Sequence, residues 1–466
     1  MKKVKITVYI TNYNYGAFIE QAIQSVLDQS LQDFELIIID DGSTDNSREI
    51  IERYTDRRNI KVIFQQNKGL NVTNNIALRV AKGKYIVRLD ADDYFDEQAL
   101  ELLSKELDAD PAVGLVFPDY YYVSEAGEII EEFKRHDFSR DVSLLDQAAH
   151  GACTMIRVEY LRNLGGYNES FSCQDGYELW VKFIANYKVC NVGKPLFCYR
   201  RHSSNLTRNE TRILSTRAQI NELYSISRYG ALRSLCIIPM RDASLALRKL
   251  GGQCLIDYKI TAAMESPAID KIVVSSPSIE MRDYIKEHYG GIERVRFHHR
   301  NEKDARLNVT LSNTVEVILD TYYADARLPD AISILTVEYP FVKPYAIADA
   351  INTMYLFDSD SLISVRQEAG ILYQHLGNGM QAILNQDKVI KLEREALYKQ
   401  GGGIIVVKTT KFLEEKKIVT GKIGHIMMDQ LSAMGIFTDF DFQLAEWIAE
   451  KQLSATTVPA FNKQNV

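Results

Sequence analysis

Three carboxylates, Asp90, Asp92 and Asp93, follow directly on an apolar run that ends at Leu89. Gathering them at one strand end costs Coulomb repulsion unless a cation sits among them, and oxygen donors at this density suit Mg²⁺ or Mn²⁺. Such ions keep positions for water and substrate phosphates, so a diphosphate-bearing substrate is expected. Two further polar clusters, Thr11 to Gly16 and Asp40 to Asp45, also close apolar runs. Ligands of open α/β sheets bind beyond the carboxyl ends of the strands, so the three clusters should converge on one crevice. Asp40-Asp41-Gly42-Ser43 by itself reads equally well as a strand-to-helix turn with an N-cap. Asp175, ahead of the amphipathic run Tyr177 to Phe183, reads by itself as an acid at a helix N-terminus.

The elements that must position these residues are legible as alternating periods. Val4 to Ile10, Phe34 to Ile39, Ile60 to Phe64, Lys84 to Leu89 and Val113 to Phe117 are rich in β-branched and aromatic residues and predict strands. Ala17 to Leu27, Ser47 to Tyr54, Val72 to Ala81 and Glu97 to Leu107 carry helical spacing between them. That is a doubly wound α/β pattern. A polar stretch from Asn205 to about Gly230 predicts a helical connector. The rhythm then restarts with strands at Leu235 to Pro239, Lys271 to Ser275, Ile332 to Leu335, Leu362 to Val365 and Gly403 to Val407. Helices are expected near Leu255 to Met264, Ile279 to Glu287 and Phe442 to Lys451. The expected layout is two α/β domains, 1–205 and 234–455, joined by a connector over 206–233 and followed by a tail over 456–466.

Composition narrows the function. The chain of 466 residues carries a net charge of −7 without a long basic run, which argues against a nucleic-acid partner. No apolar stretch approaches the roughly 20 residues of a spanning helix, and Asn12, Asn14 and Gly16 interrupt the N-terminal run too early for a signal peptide. Cys153, Cys173, Cys190, Cys198, Cys236 and Cys254 lack C-x-x-C spacing, so reduced thiols in a cytoplasmic protein are expected.

Several ordered motifs in residues 4 to about 205 resemble those of inverting GT-A fold glycosyltransferases of family 2. They are Thr11-x-Tyr13-Asn14, Asp40-Asp41-Gly42-Ser43-Thr44-Asp45, Asn67-x-Gly69, Leu89-Asp90-Ala91-Asp92-Asp93 and Leu164-Gly165-Gly166-Tyr167-Asn168-Glu169. Gln174-Asp175-Gly176-Tyr177-Glu178-Leu179-Trp180 and Tyr199-Arg200-Arg201-His202 follow. The resemblance implies that Thr11, Tyr13 and Asp41, with Asp40 secondary, hold the nucleotide base and ribose. It places donor contacts on the Asn67 to Gly69 loop, although Thr73 stands where the family commonly has Arg. Asp90 and Asp92 would be the DxD pair, Asp92 on the metal and Asp90 on the ribose or a metal-bound water. Asp175 matches the catalytic base, which an acceptor hydroxyl needs because it is a poor nucleophile at neutral pH. His202, beside Arg201, would serve the diphosphate, although the pair also fits an exposed loop. Trp180 reads as a core residue.

Residues 235 to about 450 resemble cytidylyltransferases that make CMP-activated nonulosonic acids such as sialic, legionaminic or pseudaminic acid. The resemblance rests on Ile237-Ile238-Pro239-Met240-Arg241, Lys249 to Ile256, Ile269 to Ser275 and Ile436 to Glu446. Arg241 is the residual nucleotide-site residue that it implies. The segment Arg241 to Arg248 lacks the Lys-Gly and Pro-x-Lys elements of the family's phosphate loop, and the metal-binding aspartates fall at Gly435 and Phe437. Asp441 is retained, in a position that also fits a cap of the last helix.

The resulting expectation is a metal-dependent inverting glycosyltransferase of bacterial-type surface-glycan assembly fused to an inactive cytidylyltransferase-like domain. It would take a nucleotide-diphosphate sugar, a UDP-sugar in the favoured case, and a glycan or glycolipid acceptor. Peripheral association at the inner membrane face and homo-oligomerisation are compatible with the sequence. Two alternatives stand beside it: a bifunctional glycosyltransferase and CMP-nonulosonic acid synthetase, and a non-catalytic scaffold. The intact Asp90, Asp92 and Asp175 speak against the scaffold, and the stripped loop after Met240 speaks against the synthetase.

Overall fold

A computed structural model describes residues 4–134, 151–202, 209–306, 308–368, 372–375, 377, 380–383, 391–392 and 397–457. In chain order the elements begin β1 (Ile6–Asn12), α1 (Ile19–Leu27), β2 (Phe34–Asp40), α2 (Ser47–Glu52), β3 (Ile60–Phe64), α3 (Leu70–Val80) and β4 (Tyr85–Asp90). They continue with β5 (Tyr94–Phe95), α4 (Ala99–Ala109), β6 (Val113–Val123), β7 (Ile129–Lys134), β8 (Met155–Arg157), α5 (Val158–Asn163), α6 (Asp175–Asn186) and β9 (Lys188–Arg200). Next come α7 (Glu210–Tyr229), β10 (Ser234–Pro239), β11 (Lys249–Leu250), β12 (Gln253–Cys254), α8 (Leu255–Glu265), β13 (Ile269–Ser276), α9 (Ile279–Tyr289), β14 (Val295–His299) and α10 (Ser312–Tyr323). The chain goes on through β15 (Ala331–Leu335), α11 (Pro344–Leu356), β16 (Ser361–Glu368), β17 (Tyr373–His375), β18 (Met380–Ala382) and β19 (Lys391–Leu392). It closes with β20 (Leu397–Lys408), α12 (Thr409–Glu415), β21 (Ile423–Met427) and α13 (Asp439–Thr457).

These elements form two compact units, one of Met1–Asn209 with Ala369–Ala396 and one of Glu210–Glu368 with Leu397–Val466. In the first, the sheet order is β19-β7-β6-β8-β4-β1-β2-β3, with β9 paired to β6 and β5. β4, β1, β2 and β3 are parallel neighbours. Strict alternation explains why they are apolar throughout: Ile6, Val8, Ile10, Leu36 and Ile38 enter one core layer, while Tyr9, Ile37 and Ile39 enter the layer on the opposite face. Trp180 packs in that second layer, edge-on to Phe117, as a core residue. β6 runs past the expected end at Phe117 to Val123, with register shifts on either side of Asp119 where Pro118 interrupts the ladder. Its partner β9, broken in sequence by Gly193 and Pro195, carries no periodicity that would have announced a strand of 13 residues.

The second unit has a sheet of order β14-β13-β10-β15-β20-β16-β21. β14, β13, β10 and β15 are parallel, and β20 runs antiparallel to both β15 and β16. Helix α7, expected as a connector, instead belongs to this unit: Asn221 Nδ2 donates to Asp349 Oδ1 at 2.8 Å and to Thr353 Oγ1 at 3.0 Å on α11. Of the expected tail, 456–457 continue α13, and 458–466 lie outside the described residues. Among the described residues no helix is long and apolar enough to cross a membrane.

Candidate active site

Register brings the first polar clusters together. Thr11 lies opposite Asp90 across β1 and β4, and Asn12 lies opposite Asp40 across β1 and β2, all at the carboxyl ends of parallel strands. Thr11 Oγ1 donates to Asp90 Oδ1 at 3.0 Å. Asn12 Nδ2 donates to Asp40 Oδ2 at 2.7 Å, and Asp40 Oδ1 accepts from the backbone of Ser43 at 2.9 Å. Asp40 therefore closes the turn after β2, the structural reading of its motif. Asp41 accepts from Gln65 Nε2 at 2.7 Å and from the backbone N–H groups of Lys68 and Gly69 at 2.8 and 2.9 Å, which holds the Asn67 to Gly69 loop at the same crevice. Gly42, at φ 84°, is required there because a Cβ would stand 2.7 Å from Asn67 N. Tyr13 is exposed beyond the strand end.

Asp92 and Asp93 are buried. Asp92 Oδ2 lies 2.9 Å from His202 Nε2, and the imidazole is itself buried between Tyr15, edge-on, and Phe18, stacked. The exposed-loop reading of Arg201 and His202 is thus corrected for His202; the Arg201 guanidinium lies 3.5 Å over the Tyr122 ring. Asp93 Oδ1 accepts from Arg200 N at 2.9 Å, while its buried Oδ2 has no hydrogen-bond partner. Burial, opposed by Arg88 and reinforced by Asp92, pushes the Asp90 carboxyl up to about 6. Burial and the charges of Asp92 and Asp90 raise Asp93 as well. A divalent cation beside these groups would relieve that repulsion, and the carboxylate and imidazole of Asp92 and His202 are donors that suit Mg²⁺ or Mn²⁺. Among the described residues no group of three or more His, Cys, Asp or Glu side chains is arranged around a metal position. Asp92 and His202 alone do not complete a coordination shell, so an ion held there would take its remaining ligands from substrate phosphate and water.

Asp175 is the first residue of α6, reached through Gln174 in the left-handed region at φ 65°. Its buried Oδ2 meets Arg88 Nη1, and Arg88 Nε lies 3.0 Å from Asp90 Oδ1. One buried guanidinium thus joins Asp175 and Asp90. Sequence reasoning missed Arg88. The available signal was an arginine two positions before Asp90 on a buried strand, hence on the same face of it. It also missed the asparagines of α3 that hold the segment leading to Asp175. Asn71 Nδ2 donates to the carbonyls of Asn168 and Phe171 at 2.8 and 2.9 Å, and Asn75 exchanges bonds with the Tyr167 backbone at 2.8 and 2.9 Å.

In the second unit, Arg241 follows β10 and lines a cleft of about 600 Å³ with Asp242, Ser244, Ser278, Glu302 and Arg306. Arg248 is directed to the last helix, 2.8 Å from Asp439 Oδ1 and 3.6 Å over the Phe442 ring. Asp441 accepts from Thr438 N at 2.9 Å, and Thr438 Oγ1 accepts from Asp441 N at 3.2 Å, a reciprocal capping box. Asp441 is thereby a helix cap. Phe437 is exposed and edge-on to Tyr339.

A doubly wound sheet with carboxylates at its strand ends defines a nucleotide-binding α/β class, and comparison with known proteins makes it specific. Residues 7–165 match the model of glycosyl transferase family 2, and residues 235–400 match the cytidylyltransferase model. The chain carries a family 2 glycosyltransferase domain followed by a cytidylyltransferase-family domain. It is similar to chondroitin synthase of Pasteurella multocida (strain Pm70), 30% identical over 198 residues, which are 42% of this chain and 20% of that protein. It is also similar to glycosyltransferase GlyG of Streptococcus pneumoniae serotype 4, 28% identical over 272 residues, 55% of this chain and 88% of that protein. The chain thus spans about a fifth of the length of the synthase. A crystal structure of S. aureus TarS 1-349 shares 19% identity at a TM-score of 0.39, covering 48% of this chain and 64% of that one.

Proposed function

We propose that residues 4–205 form a metal-dependent inverting glycosyltransferase that moves a sugar from a nucleoside-diphosphate donor to a hydroxyl of a glycan or glycolipid. The favoured donor is a UDP-sugar, and the setting is surface-glycan assembly in the cytoplasm. The observation that carries this reading is the convergence of Asp90, the Asp92–His202 pair and Asp175 on one crevice, with Arg88 between Asp90 and Asp175. Thr11, Tyr13 and Asp41 hold base and ribose, and Asn67 and Gly69 border the diphosphate. Asp40 supports them by closing its turn. Asp92, with His202 and the neighbouring Asp90, would hold Mg²⁺ or Mn²⁺, which when bound offsets charge on the departing diphosphate. Asp175 accepts the acceptor hydroxyl's proton as that oxygen attacks the anomeric carbon. A single in-line displacement inverts that centre.

The second unit, in this reading, is cytidylyltransferase-like without cytidylyl transfer. In the cleft beside Arg241, two arginines stand among three carboxylates, Asp242, Glu280 and Glu302, an unfavourable setting for a triphosphate. Gly435 and Phe437 stand at the expected metal-ligand positions without a side-chain oxygen, and Asp441 is spent on capping the last helix. The test is a screen of the full chain for nucleotide release from UDP-, GDP-, dTDP- and CMP-sugars with Mn²⁺ or Mg²⁺. Release from a diphosphate sugar is expected; release from none of them counts against the transferase. Pyrophosphate release from CTP with a nonulosonic acid would favour the bifunctional alternative instead.

A further inference from the structure

We propose that Arg88 is a positioning residue that fixes the Asp175 carboxylate relative to Asp90, and that Gly151 is the platform on which this three-membered arrangement closes. The inference rests on the reading of Asp175 as the base and adds to it the means by which the base is aimed. Arg88 is 4% exposed, on β4, with Tyr9 as its register neighbour on β1. Its Nη2 donates to Asp90 Oδ2 at 3.4 Å and its Nη1 to Asp175 Oδ2, while Nε stands 3.0 Å from Asp90 Oδ1 as an ion pair without a hydrogen bond. The two carboxylates lie on elements far apart in sequence, the end of β4 and the start of α6.

A planar guanidinium presents its donors in a fixed fork, so binding both acids sets their separation and relative orientation. An ammonium is a point charge on a flexible stem and cannot impose the same geometry. Arg88 engages Asp175 through Oδ2, which leaves Oδ1 as the oxygen to take the acceptor hydroxyl's proton. The Gly151 backbone borders this contact. A Cβ on Gly151 would stand 2.6 Å from Arg88 Nη2 and 2.8 Å from Asp175 Oδ2, so a side chain there must displace one or both of these groups. General-base transfer depends steeply on this aim, since misplacement by about 1 Å can cost on the order of 100-fold in rate.

The experiment compares the full-length wild type with Arg88→Met, Arg88→Lys, Arg88→Ala and Gly151→Ala. Turnover is read as nucleotide release from the donor panel with Mn²⁺, and affinity by calorimetry with the matching nucleoside diphosphate. Turnover is expected to fall about 100-fold or more in Arg88→Met and Gly151→Ala, with nucleotide affinity within about threefold of wild type. Arg88→Lys should remain well below wild type, and added methylguanidinium should partly restore Arg88→Ala, a response that a merely structural arginine would not give. Wild-type turnover in either Arg88→Met or Gly151→Ala would overturn the proposal. Loss of nucleotide affinity in step with turnover would overturn it too, by making Arg88 part of the donor site. Absence of turnover in the wild type on every donor would instead remove the transferase reading on which the inference rests.

Discussion

Asp92 and Asp175 are both buried carboxylates, and their partners separate their roles: Asp92 faces an imidazole, Asp175 a guanidinium. Removing Asp92 takes away one of the two donors that suit the ion. Asp92→Ala should therefore reduce metal-dependent nucleotide release to background, and titration of Mn²⁺ into the variant should fail to restore it. Asp175→Asn is nearly isosteric but cannot accept a proton. It should lower turnover by about 10²–10⁴-fold while donor affinity by calorimetry stays close to wild type. Joint loss of affinity and turnover would point to a structural role. Asp90 and Asp92 were legible from their spacing and their place after an apolar run, whereas Asp175 stood out only through its family motif. Arg88 was not legible, because a basic residue within a strand looks like an exposed one until its neighbours across the sheet are known.

Elements bring these residues to one place, and small polar contacts set their spacing. Helix α3 holds the Tyr167 to Phe171 segment through Asn71 and Asn75. Asn75→Ala leaves the Tyr167 N–H and carbonyl without those partners and should lower stability by about 1–3 kcal/mol in urea titrations of the full chain. Gly42→Ala places a Cβ against Asn67 N at a positive φ. It should cost about 1–3 kcal/mol and weaken nucleotide binding by displacing the Asn67 to Gly69 loop, a pair of effects that calorimetry and denaturation read separately. The parallel strands were legible because burial on both faces makes them continuously apolar. β7, β8 and β9 were not: they are short, polar or broken by Gly193 and Pro195, and long-range pairing with β6 and β4 makes them strands.

At the scale of the molecule, the second unit contains a lysine in an apolar core. Lys259 on α8 is fully buried and its Nζ has no hydrogen-bond partner. Burial drives its pKa down from 10.5 to about 7, against the opposing influence of Cys236 and Glu338. The unfolded chain therefore binds this proton below about 10.5, whereas the folded unit binds it only below about 7. Its contribution destabilises the fold increasingly as pH falls from about 10.5 to about 7 and levels off below. Lys259→Met should flatten that slope and stabilise the unit near pH 7 by about 3–5 kcal/mol, read from hydrogen exchange of β10 and β13 amides in the full chain. An unchanged slope would show that the ammonium finds solvent or a partner. The two-domain rhythm was legible from the sequence, but the assignment of α7 to the second unit was not. That assignment depends on Asn221 meeting Asp349 and Thr353, contacts between distant residues that helical periodicity does not encode.

The most direct test of the proposed transferase is nucleotide release by the full-length chain from UDP-sugars, measured with Mn²⁺, with a chelator, and with Asp92→Ala. The expected result is release that requires the ion and is absent from the variant. Release that persists at the wild-type rate under chelation and in Asp92→Ala would contradict the account.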